Sequence, residues 1–153
     1  MIKLRAAIAS LLTVTGIALA QDANVIELKP STNPATPLAY EKTEFTAKAG
    51  AKVKLVISNN GGAVPQPHNV VLCKPGTAEK VMGAAMAMLT DPAGMAKAYV
   101  PETPDVIAFT KFAQPSQTES VEVTLPAEVG DYPFFCTFPG HSAIMKGVLK
   151  VTN

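Results

Sequence analysis

The sequence predicts an all-β domain, built as an antiparallel β-sandwich with one helical insertion in its middle. Short β-prone segments recur along the chain, and proline or glycine separates most of them. Residues 77–98 depart from this pattern because they are rich in alanine and methionine and poor in β-branched residues, which favours helix. With 153 residues and no internal repeat or linker, the chain is expected to form one domain.

The first twenty residues are expected to be a signal peptide and not part of the fold. Lys3 and Arg5 form a positively charged start, an apolar run follows, and the Ala-Leu-Ala triplet at 18–20 fits the small-x-small rule for cleavage. The apolar run is short for a membrane span. We therefore expect cleavage after Ala20, export, and a mature single domain of residues 21–153 without a membrane span. An uncleaved N-terminal anchor is the alternative interpretation.

The charge balance is close to neutral. The full chain carries 13 Lys and Arg against 12 Asp and Glu, and removal of Lys3 and Arg5 with the leader would leave 11 against 12, a net charge of −1. No block of basic residues stands out. This balance argues against nucleic acid, and against an anionic membrane surface, as the main partner.

Seven strands are predicted from β-prone composition and alternation. In the second of them, Val53, Leu55 and Ile57 occupy one face, which is typical of a half-buried strand. The fifth segment alternates in the same way. The predicted segments are 24–29, 51–60, 68–74, 106–112, 120–126, 131–138 and 147–152.

Two helices are predicted within the insertion, from about residue 77 to 89 and from about 91 to 98. Val81 and Ala85 follow helical spacing in the first. Asp91, followed by a proline, has the pattern of an N-cap with proline at the first helical position.

Four methionines, at positions 82, 86, 88 and 95, lie in this insertion. Met82 and Met86 share a helical face. Packing on the sandwich, or a soft surface for a partner, is the expected role of these side chains. A Cu(I) site made of thioethers alone is the alternative, because thioether sulfur is a soft ligand.

One loop near the C-terminus contains a thiol, an imidazole and a thioether, with Cys136, His141 and Met145 in the pattern Cys-x4-His-x3-Met. Predicted strands flank the loop, and a Pro-Gly pair can turn the chain within it. The only other histidine is His68. Two histidines, a thiolate and a methionine form the donor set of a trigonal copper site with a weak axial thioether. Zinc prefers four strong tetrahedral ligands. Because sulfur favours Cu(I) while imidazole keeps Cu(II) acceptable, this donor set suits an electron carrier.

A disulfide between Cys73 and Cys136 is the main alternative use of the loop cysteine. Two cysteines in an exported protein first suggest such a bridge, and their separation is compatible with the inter-sheet disulfide of an immunoglobulin sandwich. However, the chain has no tryptophan to pack against a bridge, and a disulfide leaves the spacing of His141 and Met145 unexplained. Without it, Cys73 is expected to be a buried thiol, or else to form an intermolecular disulfide.

The segment CTFPGHSAIMKG, residues 136–147, resembles the ligand loop of the azurins, which belong to the cupredoxin family of blue copper proteins. PHNVVL, residues 67–72, resembles the segment that carries the first histidine and is closer to plastocyanin, while PETPDVIAFTKF, residues 101–112, resembles a stretch of azurin. The resemblance covers most of the chain beyond the leader. It implies a Greek-key β-sandwich of about eight strands that binds one copper ion.

Carried over position by position, the resemblance makes His68, Cys136 and His141 the equatorial copper ligands and Met145 the axial one. It also implies three positions beside the ligands, Asn69, Phe138 and Pro67. Asn69 matches an asparagine that ties the two ligand-bearing segments together, and its backbone N–H and that of Phe138 are expected to donate to the Cys136 sulfur. Azurins have glycine where this chain has Pro67, so a fifth, carbonyl contact is not assumed.

The resemblance implies an exported electron-transfer protein that works in the periplasm and cycles between Cu(II) and Cu(I), and not an enzyme. Expected partners are redox proteins, such as c-type cytochromes or copper and haem reductases and oxidases. They would dock where the His141 edge lies near the surface, next to Pro139 and Ile144. A periplasmic copper chaperone or storage protein on the same sandwich is the alternative function, and a non-metal adhesive sandwich is a more distant one.

An enzyme is disfavoured on the histidine count. A single site with both His68 and His141 as ligands leaves no histidine for a second, catalytic copper. The chain also has no Cys-x-x-Cys-His haem motif, and a full set of four ligands leaves no position for substrate.

Overall fold

The alternation seen in the sequence becomes two packed sheets in the computed structural model, which describes residues 24–153. The predicted signal peptide, residues 1–20, lies outside the described residues. The described chain forms eight strands, one α-helix and a short 3-10 helix at Met88–Thr90. The elements are β1 Val25–Leu28, β2 Glu44–Lys48, β3 Lys52–Ser58, β4 Val71–Cys73, α1 Ala78–Ala87, β5 Val106–Phe109, β6 Thr118–Thr124, β7 Gly130–Phe135 and β8 Lys146–Thr152.

The strands form a three-stranded sheet in the order β1-β3-β6 and a five-stranded sheet in the order β2-β8-β7-β4-β5. The predicted class, an eight-stranded β-sandwich with a helical insertion, is thus confirmed. The sheets are mixed rather than purely antiparallel, because β1 pairs with β3 and β2 pairs with β8 in parallel. After β1 the chain crosses into the other sheet as β2 before it returns as β3, so β1 and β3 run in the same direction.

The main core lies between the two sheets. Val53, Leu55 and Ile57 of β3 are all buried in it, as their alternation predicts. Tyr132 and Leu149, of β7 and β8, face them from the other sheet and are also buried. Burying side chains of this size contributes about 1.5–3 kcal/mol each to the hydrophobic stabilisation of the fold.

A second, smaller core lies under helix α1. Because side chains alternate along a strand, Val71 and Cys73 of β4 point away from the main core, and Phe135 of β7 does the same. Val81 of α1 packs on them and is completely buried. The helix therefore covers the outer face of the five-stranded sheet.

The first predicted helix is confirmed, but the second, over 91–98, is wrong because residues 91–99 form a series of turns. Asp91 does accept a hydrogen bond from the backbone N–H of Ala93, at 2.8 Å, as an N-cap would. Instead of continuing as a helix, the segment folds back and ends with left-handed φ angles of 52° and 50° at Ala98 and Tyr99. Gly94 permits this fold-back, since a Cβ there would collide with the Met88 carbonyl oxygen and the Tyr99 ring.

Strand β2 was not among the seven predicted strands. Its inward positions hold only Phe45 and Ala47, which are partly buried against the main core. It lies at the edge of the five-stranded sheet, where pairing with β8 and not its own alternation stabilises it. Within residues 24–153, no helix is both long enough and apolar enough to cross a membrane.

Candidate metal centre

Three predicted ligands, His68, Cys136 and His141, meet at one end of the sandwich. Their ligand atoms all lie within 4.8 Å of one another, and all three residues are buried. Cys136 directly follows β7, and His141 lies in the loop between β7 and β8. His68 comes from the segment before β4, so the fold brings it to the other two across a long stretch of chain.

The loop between β7 and β8 is closed by its own backbone. The Cys136 N–H donates to the Met145 carbonyl at 3.0 Å, and the Met145 N–H donates to the His141 carbonyl at 2.7 Å. Met145 is completely buried, in the same core cluster as Cys136. Gly140 takes the left-handed φ of 82° that this turn requires. The local spacing Cys-x4-His-x3-Met thus produces a compact loop that starts and ends at the site.

His68 is held by its backbone, while its ring has no hydrogen-bond partner among residues 24–153. Its N–H and C=O exchange hydrogen bonds with Ala113, at 3.1 and 2.8 Å. The ring is completely buried, and neither Nδ1 nor Nε2 has a hydrogen-bond partner in the described part of the chain. Burial, with a contribution from nearby His141, lowers the pKa of His68 to about 4, so the ring is neutral. An unpaired buried imidazole is costly, and a metal ion bound to one of its nitrogens would supply a partner for that atom.

His141 presents its two ring nitrogens to different partners. Nδ1 lies 3.7 Å from the Cys136 sulfur, and Nε2 lies 2.7 Å from Oε1 of Gln66. Burial lowers the pKa of His141 as well. The residue is only 2% exposed. Contrary to the expectation from the sequence, the edge of the His141 ring is therefore not exposed at the surface, because Gln66 covers Nε2.

Two opposing effects shift the pKa of the Cys136 thiol. Burial raises the pKa of the thiol to about 12, while hydrogen bonds from the backbone N–H groups of Asn69 and Phe138 act to lower it. These two donors are the ones that the sequence resemblance implied. A thiol in this setting ionises when a cation binds beside it, and metal binding then releases its proton.

Asn69 ties the two ligand-bearing segments together. Its Oδ1 accepts from the backbone N–H of Thr137 at 2.9 Å, and its Nδ2 donates to the Thr137 hydroxyl at 2.8 Å. That hydroxyl donates in turn to the Ala98 carbonyl at 2.7 Å. The Tyr40 hydroxyl donates to the Asn69 carbonyl at 2.6 Å. The position next to His68 is therefore bonded to the position next to Cys136.

Several of these supporting residues were missed from the sequence. Asn59 stands out, because its buried Nδ2 donates at 2.8 Å to both the Gln66 and the Ala113 carbonyls. In the sequence it stands only at the end of the predicted segment 51–60. Gln66, Thr137 and Tyr40 were not singled out at all. No local pattern in this chain distinguishes them from ordinary loop or core residues, since each acts on a residue far away in sequence.

The disulfide alternative is wrong, because Cys73 and Cys136 are both free. Cys73 packs under helix α1 while Cys136 faces the main core, so the two side chains lie on opposite faces of one sheet. Burial, with a contribution from Asp105, raises the pKa of Cys73 to about 12. This leaves Cys73 an inert buried thiol, as expected.

The sandwich and its buried cluster of one thiol and two imidazoles define a small metalloprotein of the β-sandwich class, with one such cluster within residues 24–153. The family described as copper binding proteins, plastocyanin/azurin family, matches residues 27–152, and the chain belongs to this family. The resemblance seen in the sequence is thereby confirmed. The donor set also fits copper, because a thiolate and two imidazoles suit that metal and the His68 ring has no hydrogen-bond partner within residues 24–153.

Individual relatives agree with this assignment. Auracyanin-A of Chloroflexus aurantiacus is 39% identical over 115 residues, which cover 74% of this chain and 67% of that protein. Azurin of Pseudomonas aeruginosa is 33% identical over 120 residues, 74% of this chain and 78% of that protein. The solved structure of auracyanin A, described as a "blue" copper protein, superposes with a TM-score of 0.69 at 36% identity and covers 84% of this chain and 98% of its own.

Proposed function

We propose that the protein is an exported type 1 (blue) copper electron carrier that passes single electrons between redox partners. The observation that carries the proposal is the buried His68 ring. Its two nitrogens lack partners among the described residues, and it lies against a buried thiol and a second imidazole. Membership of the copper-binding family supports copper as the metal. The relatives named above, azurin and the blue copper protein auracyanin A, support the redox role.

We assign His68, Cys136 and His141 as equatorial ligands and Met145 as the axial ligand. The first three present their donor atoms to one another, and Met145 closes the same loop through two backbone hydrogen bonds. A copper ion held by these groups supplies one-electron chemistry through its Cu(II) and Cu(I) states. Pro67 is assigned no contact, so the proposed site has four donors.

The protein's part in this function is to keep the site dry and its ligands in place. All four proposed ligands are buried, which excludes bulk water from the donor atoms. Asn69 and Phe138 donate backbone hydrogen bonds to the sulfur, and such bonds tune a metal site and orient its ligands. Because the braced ligands have little freedom to move, electron gain and loss need little rearrangement of the chain.

We further propose that partners dock on the apolar surface beside the ligand loop. Pro139 is exposed there, and Ile144 is 57% exposed. A groove of about 180 Å³ separates this loop from helix α1 and has no charged residue among its lining side chains, which include Met82, Met86, Leu89, Pro139 and Ala143. Small uncharged surfaces suit brief encounters between redox proteins. The partners would be redox proteins such as c-type cytochromes or copper and haem enzymes, in the periplasm.

The function is tested by adding Cu(II) to the purified apo-protein. We expect an intense blue band from thiolate-to-copper charge transfer that a mild reductant bleaches and an oxidant restores. Absence of the blue band would overturn the proposal.

The same sample separates the carrier from the copper chaperone or storage protein. A carrier should retain its metal through repeated reduction and oxidation in the presence of a chelator. Loss of copper to the chelator on reduction, with no return of colour on oxidation, would favour the chaperone. Because the four proposed donors leave no open position for substrate, we assign no catalytic activity.

A further inference from the structure

Gln66 is the polar side chain that contacts the outer nitrogen of His141. Its Oε1 lies 2.7 Å from His141 Nε2, although the two residues are 75 positions apart in sequence. The other ring nitrogen, Nδ1, faces the Cys136 sulfur. Gln66 thus contacts the ring on the side opposite the proposed metal.

This contact selects one tautomer of the histidine. A neutral imidazole has one nitrogen that donates and one that accepts. The Gln66 oxygen only accepts, so His141 Nε2 carries the proton and Nδ1 keeps its lone pair for a metal. With the amide turned round, Nε2 would accept and Nδ1 would carry the proton, which would block coordination through that nitrogen. The arrangement seen is the one that leaves the ligand atom available.

The backbone of Gln66 is held by hydrogen bonds that do not involve its side chain. Its N–H donates to the Val64 carbonyl at 2.9 Å. Its carbonyl accepts at 2.8 Å from Asn59 Nδ2, which also donates to the Ala113 carbonyl. That carbonyl accepts from the His68 N–H. One asparagine therefore holds both the glutamine and the backbone bridge of His68, and changes to the Gln66 side chain should leave this scaffold intact.

We propose that Gln66 is a positioning residue for His141, which holds the ring in the Nε2–H tautomer and in the orientation that presents Nδ1 to the metal. The inference rests on the proposed copper site and adds to it a residue that does not touch the metal. It also makes a second link between the two ligand-bearing segments, separate from Asn69.

The first test uses the apo-protein and the substitution Gln66→Met, which keeps the length of the side chain and removes the acceptor. Gln114→Met is the matched control, because Gln114 is exposed and its side chain has no hydrogen-bond partner among the described residues. The tautomer of His141 is read from its ring ¹⁵N chemical shifts at about pH 8, where histidine is neutral. We expect the Nε2–H tautomer in the wild type and the control, and a mixture of tautomers in Gln66→Met.

The second test measures the Cu(II) affinity of the same proteins by competition with a chelator. Removing the partner of a metal-ligating histidine typically costs about 10–100-fold in affinity, so Gln66→Met should lose about that factor and Gln114→Met nothing. Gln66→Glu keeps an acceptor oxygen. It should restore the affinity and lower the reduction potential, because its negative charge favours Cu(II).

The proposal is overturned if Gln66→Met only lowers the melting temperature and keeps both the wild-type tautomer and the wild-type copper affinity. These experiments also distinguish a failure of the Gln66 proposal from a failure of the proposed copper site. A wild-type protein that never turns blue contradicts the proposed function, while the tautomer measurement on the apo-protein still decides the role of Gln66.

Discussion

Cys136 and Cys73 show how the same side chain takes two different chemical roles. Burial raises the pKa of both thiols to about 12. Only Cys136 has backbone N–H donors that favour its thiolate, from Asn69 and Phe138, whereas the charge of Asp105 disfavours ionisation of Cys73. The difference lies in what surrounds each sulfur and not in how deeply it is buried.

At the residue scale, Cys136→Ser should abolish the blue band, because a hydroxyl cannot supply the charge-transfer donor. Cys73→Ala is the matched control. It should keep the blue band and lower the free energy of unfolding by about 1 kcal/mol, the cost of removing one small buried group. Absorption spectra after Cu(II) addition and urea unfolding provide the two measurements. A colourless Cys73→Ala protein that is still folded would contradict the assignment of the site.

Strands β7 and β8 hold the two ends of the ligand loop next to each other. Phe134 pairs with Gly147, and Phe135 pairs with Lys146, so Cys136 lies at the open end of an antiparallel ladder. Gly147 is required at this point, because a Cβ there would collide with the Thr43 carbonyl oxygen and the Phe134 ring. The position of the thiol therefore depends on strand register as well as on the loop.

The glycine in helix α1 and the glycine in the turns that follow it differ in the space around them. Gly83 lies in the helix with open space where a Cβ would be, whereas Gly94 is closely surrounded by Met88 and Tyr99. Glycine in a helix interior costs about 0.5–1 kcal/mol relative to alanine. Gly83 is therefore expected to weaken the helix, and Gly94 to be needed by the turns.

At the element scale, Gly83→Ala should raise the free energy of unfolding by about 0.5–1 kcal/mol. Gly94→Ala should instead lower it by about 1–3 kcal/mol, since the added methyl group overpacks the turn. Chemical unfolding of the two variants beside the wild type tests both changes. Equal effects of the two substitutions would show that the turns tolerate a side chain and that residues 91–99 are arranged differently.

At the scale of the whole molecule, stability and the proposed metal site are linked, because the proposed ligands are buried in the interior. His68, Cys136, His141 and Met145 are all buried, and Cys136 and Met145 are part of the main hydrophobic cluster. The ion pairs of the described residues, by contrast, are mostly exposed, such as Lys52 with Glu122. Exposed pairs contribute little, so the site is the part of the structure whose titration should affect folding most between pH 7 and pH 5.

The apo-protein should therefore lose stability as the pH falls below about 6.5. The pKa of His68 is about 4 in the folded protein and about 6.5 when unfolded. Between these values the unfolded chain binds more protons, so the free energy of unfolding decreases as the pH falls. His141, whose pKa burial also lowers, acts in the same direction.

From about pH 7 to pH 5, where carboxylates stay ionised, His68 should account for a loss of about 2 kcal/mol. Urea unfolding of the apo-protein at several pH values measures this loss. The variant His68→Gln should show a clearly shallower dependence on pH. An equally steep dependence in that variant would show that other groups cause the effect.

The sequence by itself determined the features that depend on residues close together along the chain. The alternation in Val53, Leu55 and Ile57 predicted a buried strand, and the spacing of Val81 and Ala85 predicted helix α1. The Cys-x4-His-x3-Met loop predicted a soft metal site, because a short loop between paired strands has few ways to place its side chains. The family and its metal followed from that loop together with the His68 segment.

Only the tertiary structure decided the features that depend on contacts between distant segments. Strand β2 forms because β8 lies beside it, and residues 91–99 turn back because Gly94 lets Met88 and Tyr99 approach. The contact of Gln66 with His141 joins positions 75 residues apart. Such a contact depends on how strands are paired and on which face of a sheet a side chain takes. Local pattern cannot specify either of these, because the partner that completes the contact is supplied by another part of the chain.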